Sequence, residues 1–173
     1  YNQSFNDIYK IHNLESSTFN LNDTNEILND RFTGKSSDFN TKSAYSSKVW
    51  TKGDFYDYYG KRYKIEQKTV FIMLHAFSDA NHLDGNLIYT DYYEWFIDTI
   101  EFISKIKNIN WVIKEHPSSQ KEYKEYDIVK NIIDKHNSEN IFLLPNQFNT
   151  LSLYAIADVV ITGRGTIALE ASC

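Results

Sequence analysis

The sequence predicts an α/β domain, a parallel sheet covered by helices on both faces. Three observations predict it. Short apolar runs recur at residues 69–74, 110–114, 141–144 and 159–161, too short for helices and typical of buried parallel strands. Between them lie segments whose apolar residues fall at three- and four-residue spacing, the period of an amphipathic helix. Strand and helix alternate, as in right-handed βαβ units that bury a parallel sheet between two helical layers.

Composition narrows the classes. A chain of 173 residues holds one ordinary domain, or one domain with an extension, and 42% hydrophobic residues suffice for a core. The net charge of −5 argues against a nucleic-acid partner bound through a broad basic face. The single cysteine, Cys173, excludes an internal disulfide and a cysteine-based metal site. His75 and His82 lack metal-ligand spacing, so no metal site is expected. No apolar run approaches the ~20 residues of a membrane helix, and no signal peptide is visible, which points to a soluble intracellular protein. The chain begins at Tyr1 and stops at Cys173 shortly after a helix opens, so a piece of a longer protein is expected.

In order, residues 1–66 read as an irregular, mostly polar arm, and residues 67–173 as the regular domain. Within the arm, Asp23 or Thr24 can cap a short helix over residues 25–32. Asp54 can start another over residues 55–59, with Gly60 as its left-handed stop. The polar stretch 35–47 reads as loop. After the first strand, His75 opens a polar loop to residue 86. Residues 89–107 form the strongest helix, with Tyr92, Trp95, Phe96, Thr99, Ile100, Ile103 and Ile106 on one face and Asp91 and Glu94 as a capping box. The second strand ends at Glu115, His116 and Pro117. A helix over residues 120–136 follows, with Ser119 and Glu122 as its capping box. The third strand stops at Pro145. Asn149 or Thr150 caps a helix over residues 151–157, and Val159 to Ile161 form the fourth strand.

The last stretch organises the chemistry. After Val159, Val160 and Ile161 the pattern breaks at Thr162, Gly163, Arg164 and Gly165, and Thr166 or Gly165 caps a new helix. Strand, glycine turn and helix start form a device for holding an anion through backbone N–H groups and the helix dipole. Arg164 adds positive charge. In an open parallel sheet, ligands bind beyond the carboxyl ends of the strands, where the strand order reverses. With an order of 3-2-1-4, the loops carrying His75 and Asp79, His116, and Gly163 to Thr166 converge. His116 and Arg164 would then serve as donors to a phosphate, and Glu170 as an acceptor from a ribose hydroxyl. Each also has a plainer role: a strand-ending histidine, a solvated glutamate, a surface ion pair, a turn aspartate. No serine-hydrolase elbow and no Walker lysine are present.

The strings WVIKEHP (residues 111–117) and ADVVITGRGTIALEA (residues 157–171) resemble the C-terminal half of a GT-B glycosyltransferase. The likeness is to bacterial capsule and surface-polysaccharide biosynthesis proteins, including the Kdo-transferase-like group. LHAFSDA (residues 74–80) and DYYEW (residues 91–95) resemble the same group. The resemblance implies a Rossmann-like donor half that binds a CMP- or UDP-linked sugar as substrate, with no other cofactor. It implies that His116 contacts donor phosphate or a sugar carboxylate, that Gly165 and Thr166 hold phosphate, and that Glu170 contacts the ribose. His75 and Asp79 are the candidates for proton transfer. It further implies a glycan or lipid-linked glycan acceptor and a cytoplasmic enzyme, and allows peripheral association with an inner-membrane assembly complex. A nucleotide-sugar 2-epimerase of the same plan and a non-catalytic module of an assembly complex are the alternatives. The Gly163-Arg164-Gly165 turn is less glycine-rich than in the epimerases, which leaves the donor's identity open.

Overall fold

The computed structural model describes residues 26, 29, 30, 32, 33, 35, 39–79, 88–146 and 148–170, with Asn40, Leu169 and Glu170 described by their backbone. The strands are β1 (Lys68–Met73), β2 (Ile109–Lys114), β3 (Ile141–Leu143) and β4 (Val159–Thr162). They form one parallel sheet in the order β3-β2-β1-β4, the order of strand addition reversing between β1 and β4. The helices are α1 (Phe39–Tyr45), α2 (Lys52–Tyr59), α3 (Tyr92–Ile103), α4 (Ser118–Lys121), α5 (Ile128–His136), α6 (Ser152–Ile156) and α7 (Ile167–Glu170). The expected α/β, Rossmann-like architecture is therefore present. No helix among the described residues is long and apolar enough to cross a membrane.

The side-chain alternation of β1 sorts the core into two layers. Val70 and Ile72 face one side, where Phe96, Ile100 and Ile103 of α3 and Val129, Ile132 and Ile133 of α5 bury them. Phe71 and Met73 face the other, against Phe55 of α2, Tyr63, Phe148, and Leu153 and Ile156 of α6. Right-handed crossovers account for this: β1 to β2 to β3 step one way and leave α3 and α5 together, while the return to β4 places α6 opposite. The second layer is completed by residues the composition assigns to the arm. Arg62 donates to the backbone carbonyls of Glu139 and Ile141, Tyr63 shares a hydrogen bond with Thr69, and the Trp50 N–H donates to Ser152. The division at residue 66 thus marks a change in composition, not in packing.

Several local expectations are corrected. The stretch 35–47 is not all loop, because α1 forms there. Its Tyr45 is buried, the Ala44 carbonyl accepts the Thr150 N–H at 2.7 Å, and Asn149 donates to the carbonyls of Tyr45 and Ser47. These partners lie about a hundred residues downstream and leave no local periodicity. Asp54 does not start α2. Thr51 is the cap, and Asp54 sits at the third helical position, where each residue's side chain accepts the other's backbone N–H. Gly60 ends the helix with a positive φ of 63°, but its ψ of −151° is not the left-handed helical conformation expected of the stop. For the first short helix, residues 26, 29, 30 and 32 are helical, and its expected caps lie outside the described residues.

The helix expected over residues 89–107 is the shorter α3. Asp91 accepts the Glu94 N–H at 2.7 Å, while Glu94 reaches past the cap to the Thr90 N–H at 2.9 Å. The helix expected over residues 120–136 is broken into α4 and α5, and the Ser119–Glu122 box does not form. Lys124 and Asp127 adopt left-handed φ values of 58° and 57° in the break, which strains non-glycine backbone. The compensation is Glu125. Its carboxylate turns inward and accepts the N–H groups of Phe77 and Ser78 at 3.0 and 2.6 Å. A continuous helix would lose both bonds.

β4 is not the buried strand its β-branched run suggests. Val159 and Ile161 are 51% and 38% exposed. In register with Val70 and Ile72 they face the α3–α5 side, and no described helix extends over them. Val160 points the other way and packs against the second layer. The helix expected over residues 151–157 is α6, preceded by Leu151, whose N–H is taken by the Asn149 side chain at 2.9 Å.

Candidate functional site

Parallel register brings three strand ends to one edge. Met73 is paired with Lys114 on one side and with Thr162 on the other, so the following loops leave the sheet together. Between them lies a cavity of about 280 Å³, lined by His75, Asp79, His116, Arg164, Gly165 and Thr166. These are six of the eight residues expected to form a site. Gly163 lies apart, its backbone against the Tyr92 ring, and borders a neighbouring cavity with Trp95. Glu170 is in α7, and its side chain lies outside the described residues.

The imidazoles form the centre. His75 stacks on Tyr92 at 4.4 Å and lies parallel to His116 at 6.1 Å, and the two imidazoles line the cavity while Tyr92 borders the neighbouring one. Both His75 nitrogens are shielded from solvent without a partner in good hydrogen-bond geometry. The backbone of Arg164 favours the charged ring, the smallest of the influences on it. His116 is better fixed. Its Nδ1 lies 2.6 Å from the Ser118 hydroxyl and accepts the Ser118 N–H at 3.3 Å. An accepting Nδ1 places the proton on Nε2, leaving Nε2–H as the ring's outward donor. Asp79 accepts from the Tyr123 hydroxyl at 3.2 Å. The helix break therefore holds the His75–Asp79 loop twice, through Glu125 and through Tyr123.

Burial is the main cause that holds both histidines below the ordinary range. Arg164 adds to the effect at His75, and His75 and Lys114 add to it at His116. An unfolded histidine takes its proton near pH 6.5, these two only at lower pH. Below about pH 6.5 the unfolded chain binds more protons, so this stability is complete above that pH and is lost as pH falls through the depressed values. Glu115, its carboxyl pushed up chiefly by burial, opposes them by gaining its proton earlier in the folded chain. With two histidines against one carboxyl, the urea midpoint is expected to be lower at about pH 5 than at about pH 7.5. The doubly substituted His75→Gln, His116→Gln chain is expected to show a smaller drop.

The two glycines of the turn have different reasons. Neither takes a positive φ. A Cβ on Gly165 would lie 2.9 Å from Thr162 Oγ1 and 3.2 Å from Ile167 Cγ2, and the Gly165 N–H donates to that same Thr162 oxygen at 3.1 Å. Gly165 is thus required by close approach. A Cβ on Gly163 would meet nothing nearer than Tyr92 at 3.6 Å. Gly165→Ala is expected to cost about 1–3 kcal/mol by overpacking, and Gly163→Ala less than about 0.5 kcal/mol. Paired denaturant melts distinguish them, and equal costs would show that the turn is not tightly packed.

Sequence reasoning missed part of this site. Lys114 is buried and lines the cavity, as does Glu115, whose carboxylate accepts from Gln120 at 3.3 Å. The available signal was a lysine closing an apolar strand, an expensive residue to bury without a purpose. Tyr92 read as one more residue of an apolar helix face. Thr41, Ala44 and Tyr45 of α1 close the cavity from the side the arm occupies. Among the described residues, no group of three His, Cys, Asp or Glu side chains could hold a metal ion. No protein-family model, curated protein or solved structure matches this chain.

Proposed function

We propose that this chain is the donor-binding half of a GT-B-type glycosyltransferase acting in bacterial capsule or surface-polysaccharide assembly. The observation that carries the reading is the meeting of His75, Asp79, His116, Arg164, Gly165 and Thr166 around one cavity at the reversal point of the sheet. The donor is a CMP- or UDP-linked sugar, and the acceptor a glycan or lipid-linked glycan. Arg164, Lys114 and the His116 Nε2–H supply the positive face that an anionic donor requires. In this scheme they stabilise the charge that develops on the departing phosphate, a role suited to fixed donors in a partly dry site. Thr166 adds a hydroxyl, Glu170 takes a ribose hydroxyl, and neutral His75 beside Asp79 is the proton acceptor on the reaction side.

Titration calorimetry against CMP, UDP, CDP and their sugar conjugates tests this. Saturable binding of one nucleotide series supports the reading, and a folded chain that binds none overturns it. One observation favours a nucleotide-sugar epimerase as the second reading. Such an enzyme needs carboxyl groups in the cleft as acid and base, and Glu115, its pKa raised by burial, lines the same cavity as Asp79. Incorporation of solvent deuterium at a sugar carbon would select it.

A further inference from the structure

A second cavity of about 290 Å³ opens on the far side of residues 114–117. Lys114, Glu115, His116 and Pro117 line both cavities and form the wall between them. α1 lies along both, presenting Thr41, Ala44 and Tyr45 to the first and Ser43 to the second. Ligand pockets run from roughly 300 to 1,000 Å³, so each cavity alone is at the small end.

The second cavity has a distinct chemistry. Asn146 Nδ2 donates to Gln120 Oε1 at 2.8 Å, and Gln120 Nε2 donates to Glu115 Oε2 at 3.3 Å. An ionised carboxylate only accepts, so this chain sets the orientation of both amides. Each amide nitrogen keeps a second hydrogen, and the Asn146 and Glu115 oxygens keep lone pairs. A wall that alternates donors and acceptors suits groups that do both, which are hydroxyls. The buried Lys114 ammonium and the His116 ring stand where the two cavities meet, the place for an anionic group.

We propose that the second cavity receives the sugar of an activated donor, with Gln120 and Asn146 reading its hydroxyls. The phosphate linkage then lies against Lys114 and His116, and the nucleoside occupies the first cavity. This rests on the donor-binding reading above and adds which residues select the sugar. Gln120 lies in α4, after β2, and Asn146 in the segment after β3.

The test compares bare nucleotides with their conjugates on the whole chain. UDP, CMP, UDP-N-acetylglucosamine and CMP-N-acetylneuraminate are titrated into the native chain and into Gln120→Ala and Asn146→Ala, with urea melts to establish folding. The expected result is a conjugate bound about tenfold more weakly by each variant, with the bare nucleotide changed less than about twofold. Variants that weaken nucleotide and conjugate equally would place the nucleotide itself in the second cavity and overturn the assignment. Variants that weaken neither would also overturn it, leaving the donor-binding reading in place. A native chain that binds no probe removes the donor-binding reading and this assignment together.

Discussion

Phe55→Ala is expected to destabilise the chain by about 3–5 kcal/mol, the range for deleting a fully buried aromatic ring. Phe55 is 0% exposed. Its ring centroid lies 4.9 Å from Tyr59, 5.0 Å from Tyr63, 5.8 Å from Trp50, 6.1 Å from Phe148 and 6.2 Å from Phe71. Those partners come from α2, from the segments either side of it, from β1 and from the loop before α6. Deleting the ring leaves a cavity that rigid neighbours on a sheet cannot close, and the loss adds to the transfer term. Tyr58, in the same helix but 59% exposed, is the control, with Tyr58→Ala expected to cost less than about 1 kcal/mol. Urea unfolding followed by tryptophan fluorescence reads both, because Trp50 packs on Phe55. A cost below about 1 kcal/mol for Phe55→Ala would mean that residues 52–63 do not unfold with the sheet.

His116→Ala is expected to weaken binding of the proposed nucleotide by roughly ten- to a hundredfold, from a lost charge-assisted bond worth about 1.5–3 kcal/mol. The ring is pinned by the Ser118 hydroxyl and N–H, so Nε2–H is oriented before any ligand arrives and little ordering entropy opposes its bond. Removing the ring also uncovers the His75 ring beside it. His116→Gln, which keeps a donor near the same place, should recover part of the affinity, and Ser118→Ala should lose a smaller part by freeing the ring. Calorimetry on the three variants separates a direct contact from a structural role. Equal affinity of the native and alanine chains would remove His116 from the site.

Much of this site was legible because its logic is periodic and topological. Alternating apolar runs and helix faces imply a parallel sheet, and strand ends then become the places to look for ligand groups. His75, Asp79, His116, Arg164, Gly165 and Thr166 follow from that step alone, before any side chain is placed. Lys114 did not follow, because a lysine after an apolar run reads equally as a strand's solvated end. Only its position between two cavities distinguishes it. The Gln120–Asn146 pair was equally silent, since two amides become an oriented chain only when β3 is set beside β2.

The sequence by itself determined the layered α/β plan, the strand segments and the edge of the sheet where the loops meet. Those properties come from residue spacing and from short-range caps, which act within a few positions and are written locally. Tertiary structure alone decided that residues 122–127 leave the helix, that α1 forms, and that residues 52–63 belong to the core. In each case the deciding partner is distant in sequence. Glu125 satisfies the N–H groups of Phe77 and Ser78, Thr150 bonds to Ala44, and Phe55 fills the space over Phe71. A buried polar group left unpaired costs about 1–3 kcal/mol and an unfilled aromatic site more, enough to override local preferences that differ by less than about 1 kcal/mol per residue.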